Sequence, residues 1–279
     1  MCDIIPTDWA GFLKEIKKTI EDLGFEKNQE IFFRGHTNKD YKLIPSLLRG
    51  ATLDESHHIS KELFKIEADL FYEFRSRAKG IHGAGLNDWD VLFYMQHHRL
   101  RTRLLDWTET FGVALYFALG IGMPCRKYET YSPCIWIMNP YELNYESTDS
   151  YDLYDPELLE ELDADGEKLY DIESYSTMLL GNHKKCEGKM MNWKQPVALY
   201  PIRKGDRLTN QGGYFTIHGN DLRPIEEQNK LAKYVQKICI PEAAIKEAEE
   251  FLKDAGINEF TLFPDLDGLA KYLNIKYFE

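Results

Sequence analysis

Apolar residues at Trp9, Phe12, Leu13, Ile16, Ile20 and Leu23 recur at three- and four-residue steps, the repeat of a helix that buries one face. Thr7 is the predicted N-cap of this helix and Gly24 its stop. A short apolar strand follows at Glu30-Ile31-Phe32-Phe33-Arg34, closed by Gly35. Ile59, Leu63, Ile66, Leu70 and Phe74 predict a second amphipathic helix, and Asp88 opens a third with Trp89, Leu92, Phe93 and Gln96 on one side. A helix from Thr108 or Glu109 to Ile121 is apolar on nearly every face, which predicts that it lies at the centre of the fold. Strands are predicted at 134–138, 197–202, 213–217 and 234–240, and closing helices at 242–255 and 265–274. Strands and helices do not alternate regularly. The predicted class is therefore α+β, with a central, mostly antiparallel sheet, flanking helices and one buried apolar helix at the core.

Composition narrows this picture. With 279 residues, 43% of them hydrophobic, the chain can bury a sizeable core as one domain. No apolar run approaches the roughly 18 residues that span a bilayer. The start lacks the basic and apolar regions of a secretory signal. Five scattered cysteines form no C-x-x-C, which fits a reducing compartment. The expected location is the cytoplasm, with no membrane partner. The net charge of −12 is uneven: from Asn139 to Glu173 there are 13 Asp or Glu against one Lys168, and the remaining 33 acids and 33 bases balance. Residues 139–175 thus read as an acidic insertion, also carrying Tyr141, Tyr145, Tyr151, Tyr154, Tyr170 and Tyr175. It is predicted either to be a solvated excursion or to act as an arm that mimics nucleic acid or shields a basic site.

Three stretches could carry chemistry. In Phe32-Phe33-Arg34-Gly35-His36, an arginine at the end of a buried strand presents a planar fork beside a glycine that permits close approach. A phosphate, carboxylate or ribose would suit it, and so would a structural carboxylate such as Asp106. The second stretch, Tyr94 to Thr108, contains Gln96, His97, His98, Arg99, Arg101, Arg103, Asp106 and Trp107. Arg99, Arg101 and Arg103 would line one side of an extended segment as phosphate readers. Arg34 or Arg103 is the expected partner of Asp106, Trp107 offers a stacking face, and Thr108 is placed to cap a helix and bond a ligand. The third is Asn210-Gln211-Gly212-Gly213-Tyr214-Phe215-Thr216-Ile217, a polar residue and two glycines leading into a strand. H-E-x-x-H, G-x-G-x-x-G, Walker A and G-x-S-x-G patterns are absent, so no metal site is expected.

Together these stretches resemble the FRG domain, a prokaryotic family often associated with phage defence. The likeness is carried by Phe33-Arg34-Gly35, Leu43-Ile44-Pro45-Ser46-Leu47-Leu48-Arg49, Gln96-His97, Thr102 to Thr108, Ala114 to Ala118, Gln211 to Ile217 and Leu262 to Ala270. It implies one FRG domain over residues 1–279. One departure stands out. The family usually places an aromatic, a glycine and a proline between its Gln-His and Thr-Arg, where this chain has His98-Arg99-Leu100-Arg101. A different site mouth is expected.

The order of motifs is also similar to that of ADP-ribosyltransferases of the Arg-Ser-Glu class: a first-strand Arg-Gly, a strand leading into a buried Ala- and Phe-rich helix, and a Gln- or Glu-bearing third strand. The expected Gln-x-Glu is Gln211-Gly212-Gly213 here. That likeness implies an NAD cofactor, with Gln211, Asp106 and Thr108 as catalytic candidates. Arg34, Gly35, Gln96, His97, Arg103 and Trp107 are the ligand-binding ones. Three functions stay open: an NAD-binding, ADP-ribosyltransferase-like effector in antiviral defence or toxin action, a non-enzymatic sensor or partner-binding module, and a nucleic-acid-binding or processing protein. Whether the chain is an enzyme is open with them. The expected partners are a small nucleotide ligand and a protein or nucleic-acid target.

Overall fold

The computed structural model describes residues 6–50, 60–82, 86–123, 130–155, 195–200, 212–219 and 221–278. Within them α1 (Trp9–Asp22) starts at Asp8, whose carboxylate accepts from the Gly11 amide, one residue after the expected cap. Then come β1 (Phe32–His36), α2 (Lys61–His82), α3 (Asp88–His97), β2 (Leu104–Thr108), α4 (Phe111–Leu119), β3 (Cys134–Met138) and α5 (Pro140–Thr148). The chain continues through β4 (Val197–Leu199), β5 (Gly213–Ile217), β6 (Val235–Cys239), α6 (Ile245–Asp254), α7 (Glu259–Leu262) and α8 (Leu266–Phe278). Among the described residues no helix is long and apolar enough to cross a membrane.

The six strands form one antiparallel sheet in the order β4-β5-β2-β1-β3-β6. The α+β class and the antiparallel sheet are as expected. β2 is the strand that hydrophobic pattern alone missed. Its polar Asp106 interrupts the apolar run, and the segment lay under the predicted start of α4. That helix begins at Phe111, two or three residues later than expected, because Thr108 is still paired, to Phe33 and to Gly213.

α4 is the buried helix predicted: Val113, Ala114, Leu115, Tyr116, Ala118 and Leu119 are all at most 3% exposed. It packs with α1 and α6 against Phe33, Ile135, Ile137 and Ile238. Gly35 makes this approach possible. A Cβ there would lie 1.9 Å from the Ala114 carbonyl oxygen, so the glycine serves strand-to-helix contact. The other sheet face carries Phe32, Leu105, Trp107, Trp136 and Met138, packed with Leu143 of α5 and with Ile225 and Leu231. Cys134 and Cys239 are buried. Cys125 and Cys186 lie outside the described residues.

The acidic segment is not all excursion. Pro140 and Leu143 are buried in α5, and Asn144 Nδ2 donates to the carbonyls of Asp152 and Ala198 while its Oδ1 accepts from the Ala198 amide. Asn144 is fully buried, so these bonds tie residues 139–155 to strand β4. Residues 156–175 lie outside the described residues.

Candidate functional site

β1 and β2 are neighbours in the sheet but share a single paired position, Phe33 with Thr108. Beyond it the strands part. A cavity of about 960 Å³ opens there, lined by Arg34, Gln96, Asp106, Thr108, Ala114 and Phe117 among others. Its walls come from the end of α3 on one side and the start of α4 on the other.

Arg34 crosses the gap. Its Nη1 donates to the Asp106 main-chain carbonyl, a bond that a continuing ladder would have supplied from β1. Its Nε donates to His36 Nε2 at 3.0 Å. Nη2 has no hydrogen bond among the described residues. Burial lowers the guanidinium pKa to about 10; Asp106 opposes the shift and the like charge of Arg49 adds to it. Arg34 therefore stays charged at neutral pH. Burial, and then Arg34, depress His36 to about 2, so its ring is neutral. Both ring nitrogens face donors, Arg34 Nε at Nε2 and Trp136 Nε1 at Nδ1, and a neutral imidazole can accept at only one of them.

The Asp106 carboxylate points into the cavity with its side chain 58% exposed, 3.8 Å from Arg34 Nη1. A relay holds it. The Thr102 hydroxyl accepts from the Leu104 amide and donates to Gln96 Oε1. This fixes the Gln96 amide so that Nε2 donates to Asp106 Oδ2 at 2.9 Å. Oδ1 has no hydrogen bond among the described residues. Thr108 Oγ1 accepts from the Thr110 amide, 3.0 Å away, so the hydroxyl braces the turn into α4. Thr110, not Thr108, is the N-cap residue of α4.

The remaining predicted residues divide. His97 lines the cavity, beside an exposed His98. Trp107 borders it but is only 3% exposed; its indole donates to Thr216 Oγ1 and its ring packs near Phe32, leaving little face for stacking. Arg103 is not among the lining residues. It is fully buried, with a two-pronged ion pair to Glu67 of α2 and a bond to the His218 carbonyl. The three arginines do not share one side: Arg99 sits on the cavity, Arg101 is exposed and Arg103 is in the core. Asp106 is thus met by Arg34, not Arg103. Gln211 lies outside the described residues, although Gly212 beside it accepts from the Glu109 amide.

Three contributors were not singled out from sequence: Arg49, Thr102 and His36. Arg49 and Thr102 stood inside recognised motifs as apparent scaffold. Their bonds are short in sequence, six residues from Thr102 to Gln96, two from His36 to Arg34 and five from Arg49 to Ile44, but they join polar groups, which hydrophobic periodicity does not record.

An antiparallel α+β protein whose central strands part round an arginine and a carboxylate is the class that fold and site define. Residues 29–122 match the family model of the FRG domain, and the chain carries that domain. The matched stretch contains Arg34, Gln96, Asp106 and α4, whereas β5 falls beyond it. No curated protein and no solved structure gives a significant match to the chain. Among the described residues no group of His, Cys, Asp and Glu could hold a metal ion.

Proposed function

We propose that the cavity takes NAD and that the chain acts as an ADP-ribosyltransferase-like effector, in antiviral defence or as a toxin. The observation that carries this reading is the sheet order β5-β2-β1. It makes neighbours of the three elements in the transferase-like motif order: the Arg34 strand, the strand leading into the buried helix, and the strand that follows Gln211. The cavity opens at their parting and has the size of a nucleotide site.

In this reading Arg34 holds the pyrophosphate through its uncommitted Nη2, a charge-assisted bond in a partly desolvated place. The ribose–nicotinamide bond breaks with its electron pair leaving on nicotinamide. The ribosyl cation is taken by an acceptor or by water, which releases a proton. Asp106, oriented by Gln96, supplies negative charge beside that developing cation, and Gln211 orients the ribose hydroxyls. Asp106 takes on the part of the carboxylate absent at Gly213.

Calorimetric titration with NAD, paired with an assay of NAD consumption, tests the reading. Wild type should bind and consume NAD, and Asp106→Asn should bind but lose turnover by about 100-fold or more. No heat with millimolar NAD, together with no NAD loss in expressing cells, overturns it.

A further inference from the structure

α3 ends in a left-handed turn. The Arg99 amide donates to the Gln96 carbonyl and the Leu100 amide to the Met95 carbonyl, with Arg99 at φ 62°. This pattern reverses the chain at a position where glycine is the usual residue, since a Cβ there crowds the backbone. Two other non-glycine residues among those described have positive φ, Asn28 and Asp149. Both have short polar side chains that tolerate this region. Arg99 has no such local excuse. Glycine is the residue this turn favours, and the chain holds an arginine there at φ 62°. Backbone strain of this kind persists where the side chain is put to use.

The arginine borders the cavity. So does Arg49, which is anchored by Nε to the Ile44 carbonyl at 3.2 Å, leaving both terminal nitrogens to reach elsewhere. Arg49 is near enough to Arg34 and His36 to disfavour a proton on each. The lining contains Arg34, Lys42, Arg49 and Arg99 against Asp40 and Asp106. Lys42 is answered by Glu227 at 2.9 Å. A chain of net charge −12 has therefore gathered uncompensated guanidinium charge at one opening.

We infer that Arg99 is a specificity-determining residue, which with Arg49 holds a phosphate monoester at the cavity rim. This phosphate is additional to the group at Arg34, and the inference rests on the nucleotide reading of the cavity. The planar forks suit a phosphate dianion better than a single carboxylate. The phosphate belongs either to the dinucleotide, as in NADP, or to the acceptor of the ADP-ribose.

Inorganic phosphate is the probe, titrated into wild type and Arg99→Gly. The glycine variant relieves the strained turn, so its thermal midpoint should hold or rise, which separates ligand loss from unfolding. Phosphate affinity should fall about tenfold in Arg99→Gly and recover in part in Arg99→Lys. NADP binding wild type more tightly than NAD, with the preference gone in Arg99→Gly, assigns the phosphate to the dinucleotide. Equal NAD and NADP affinity, with inorganic phosphate still binding the NAD-saturated protein, assigns it to the acceptor. Unchanged phosphate affinity in Arg99→Gly, loss only in Arg34→Lys, or no phosphate binding to wild type at millimolar concentration overturns the inference. The phosphate comparison is made without NAD as well, so failure of NAD to bind does not decide it.

Discussion

The Arg34 guanidinium bonds the main-chain carbonyl of Asp106 while standing 3.8 Å from its carboxylate. The bond to the carbonyl replaces a missing rung between β1 and β2, so one side chain both spans the opening and charges it. Structural and ligand-binding roles for Arg34 are thereby compatible.

Arg34→Ala is expected to abolish NAD binding and to cost about 1–3 kcal/mol, since the Asp106 carbonyl and His36 both lose a donor. The larger penalty of a stranded buried carboxylate does not arise, because the Asp106 side chain is 58% exposed. Arg34→Lys keeps the charge without the fork and should weaken NAD about tenfold, with a smaller stability loss. Calorimetry and urea denaturation read the two effects apart; unchanged NAD affinity in both variants counts against the site.

Gly35→Ala tests whether the glycine belongs to the fold or to the ligand. The added methyl meets the Ala114 carbonyl oxygen and the Ala118 amide nitrogen, 2.5 Å away, which are helix backbone and cannot step aside. A loss of about 3 kcal/mol or more is expected, the top of the range for overpacking. A variant with wild-type denaturation midpoint would show that α4 does not sit against β1 as described.

Acidification should destabilise the protein well before its carboxylates titrate. Burial holds His36 near 2 and His218 near 3, while the unfolded chain protonates both near 6.5. The unfolded state then binds more protons below 6.5, so stability falls as pH drops through that value and continues to fall towards 3. Each group contributes about 2 kcal/mol between pH 6.5 and 5. His218→Gln should flatten the dependence by one group. An equal slope in wild type and variant would mean that His218 is accessible to protons in the folded state.

Deleting residues 141–173 is expected to unfold the protein, not to release a basic site. The deletion removes Leu143 and the Asn144 bonds to Ala198 along with the acidic residues. Asn144→Ala alone should cost about 3 kcal/mol, with buried strand groups left unpaired. Circular dichroism of the deletion decides: a native, cooperatively melting spectrum restores the autoinhibitory-arm reading.

Periodicity determined α1, α3, α4 and the strands at 134–138 and 213–217, because each buries a face or a whole element and its apolar spacing records that burial. The order of motifs also pointed to Arg34, Asp106 and Gln96 as companions. What only the tertiary structure decided is how similar residues divide. Arg103 and Arg34 look equally poised in sequence, yet one is neutralised by Glu67 in the core and the other faces the cavity. Gly35 reads as an opening for a ligand; it lines the cavity, and the side chain it lacks is what admits α4. β2 stayed hidden because its pairing partners are supplied by β1 and β5, over 70 and about 110 residues away. The strain at Arg99 exists only in the folded turn. Local pattern records which faces are buried; which buried or charged group meets which is set by long-range packing.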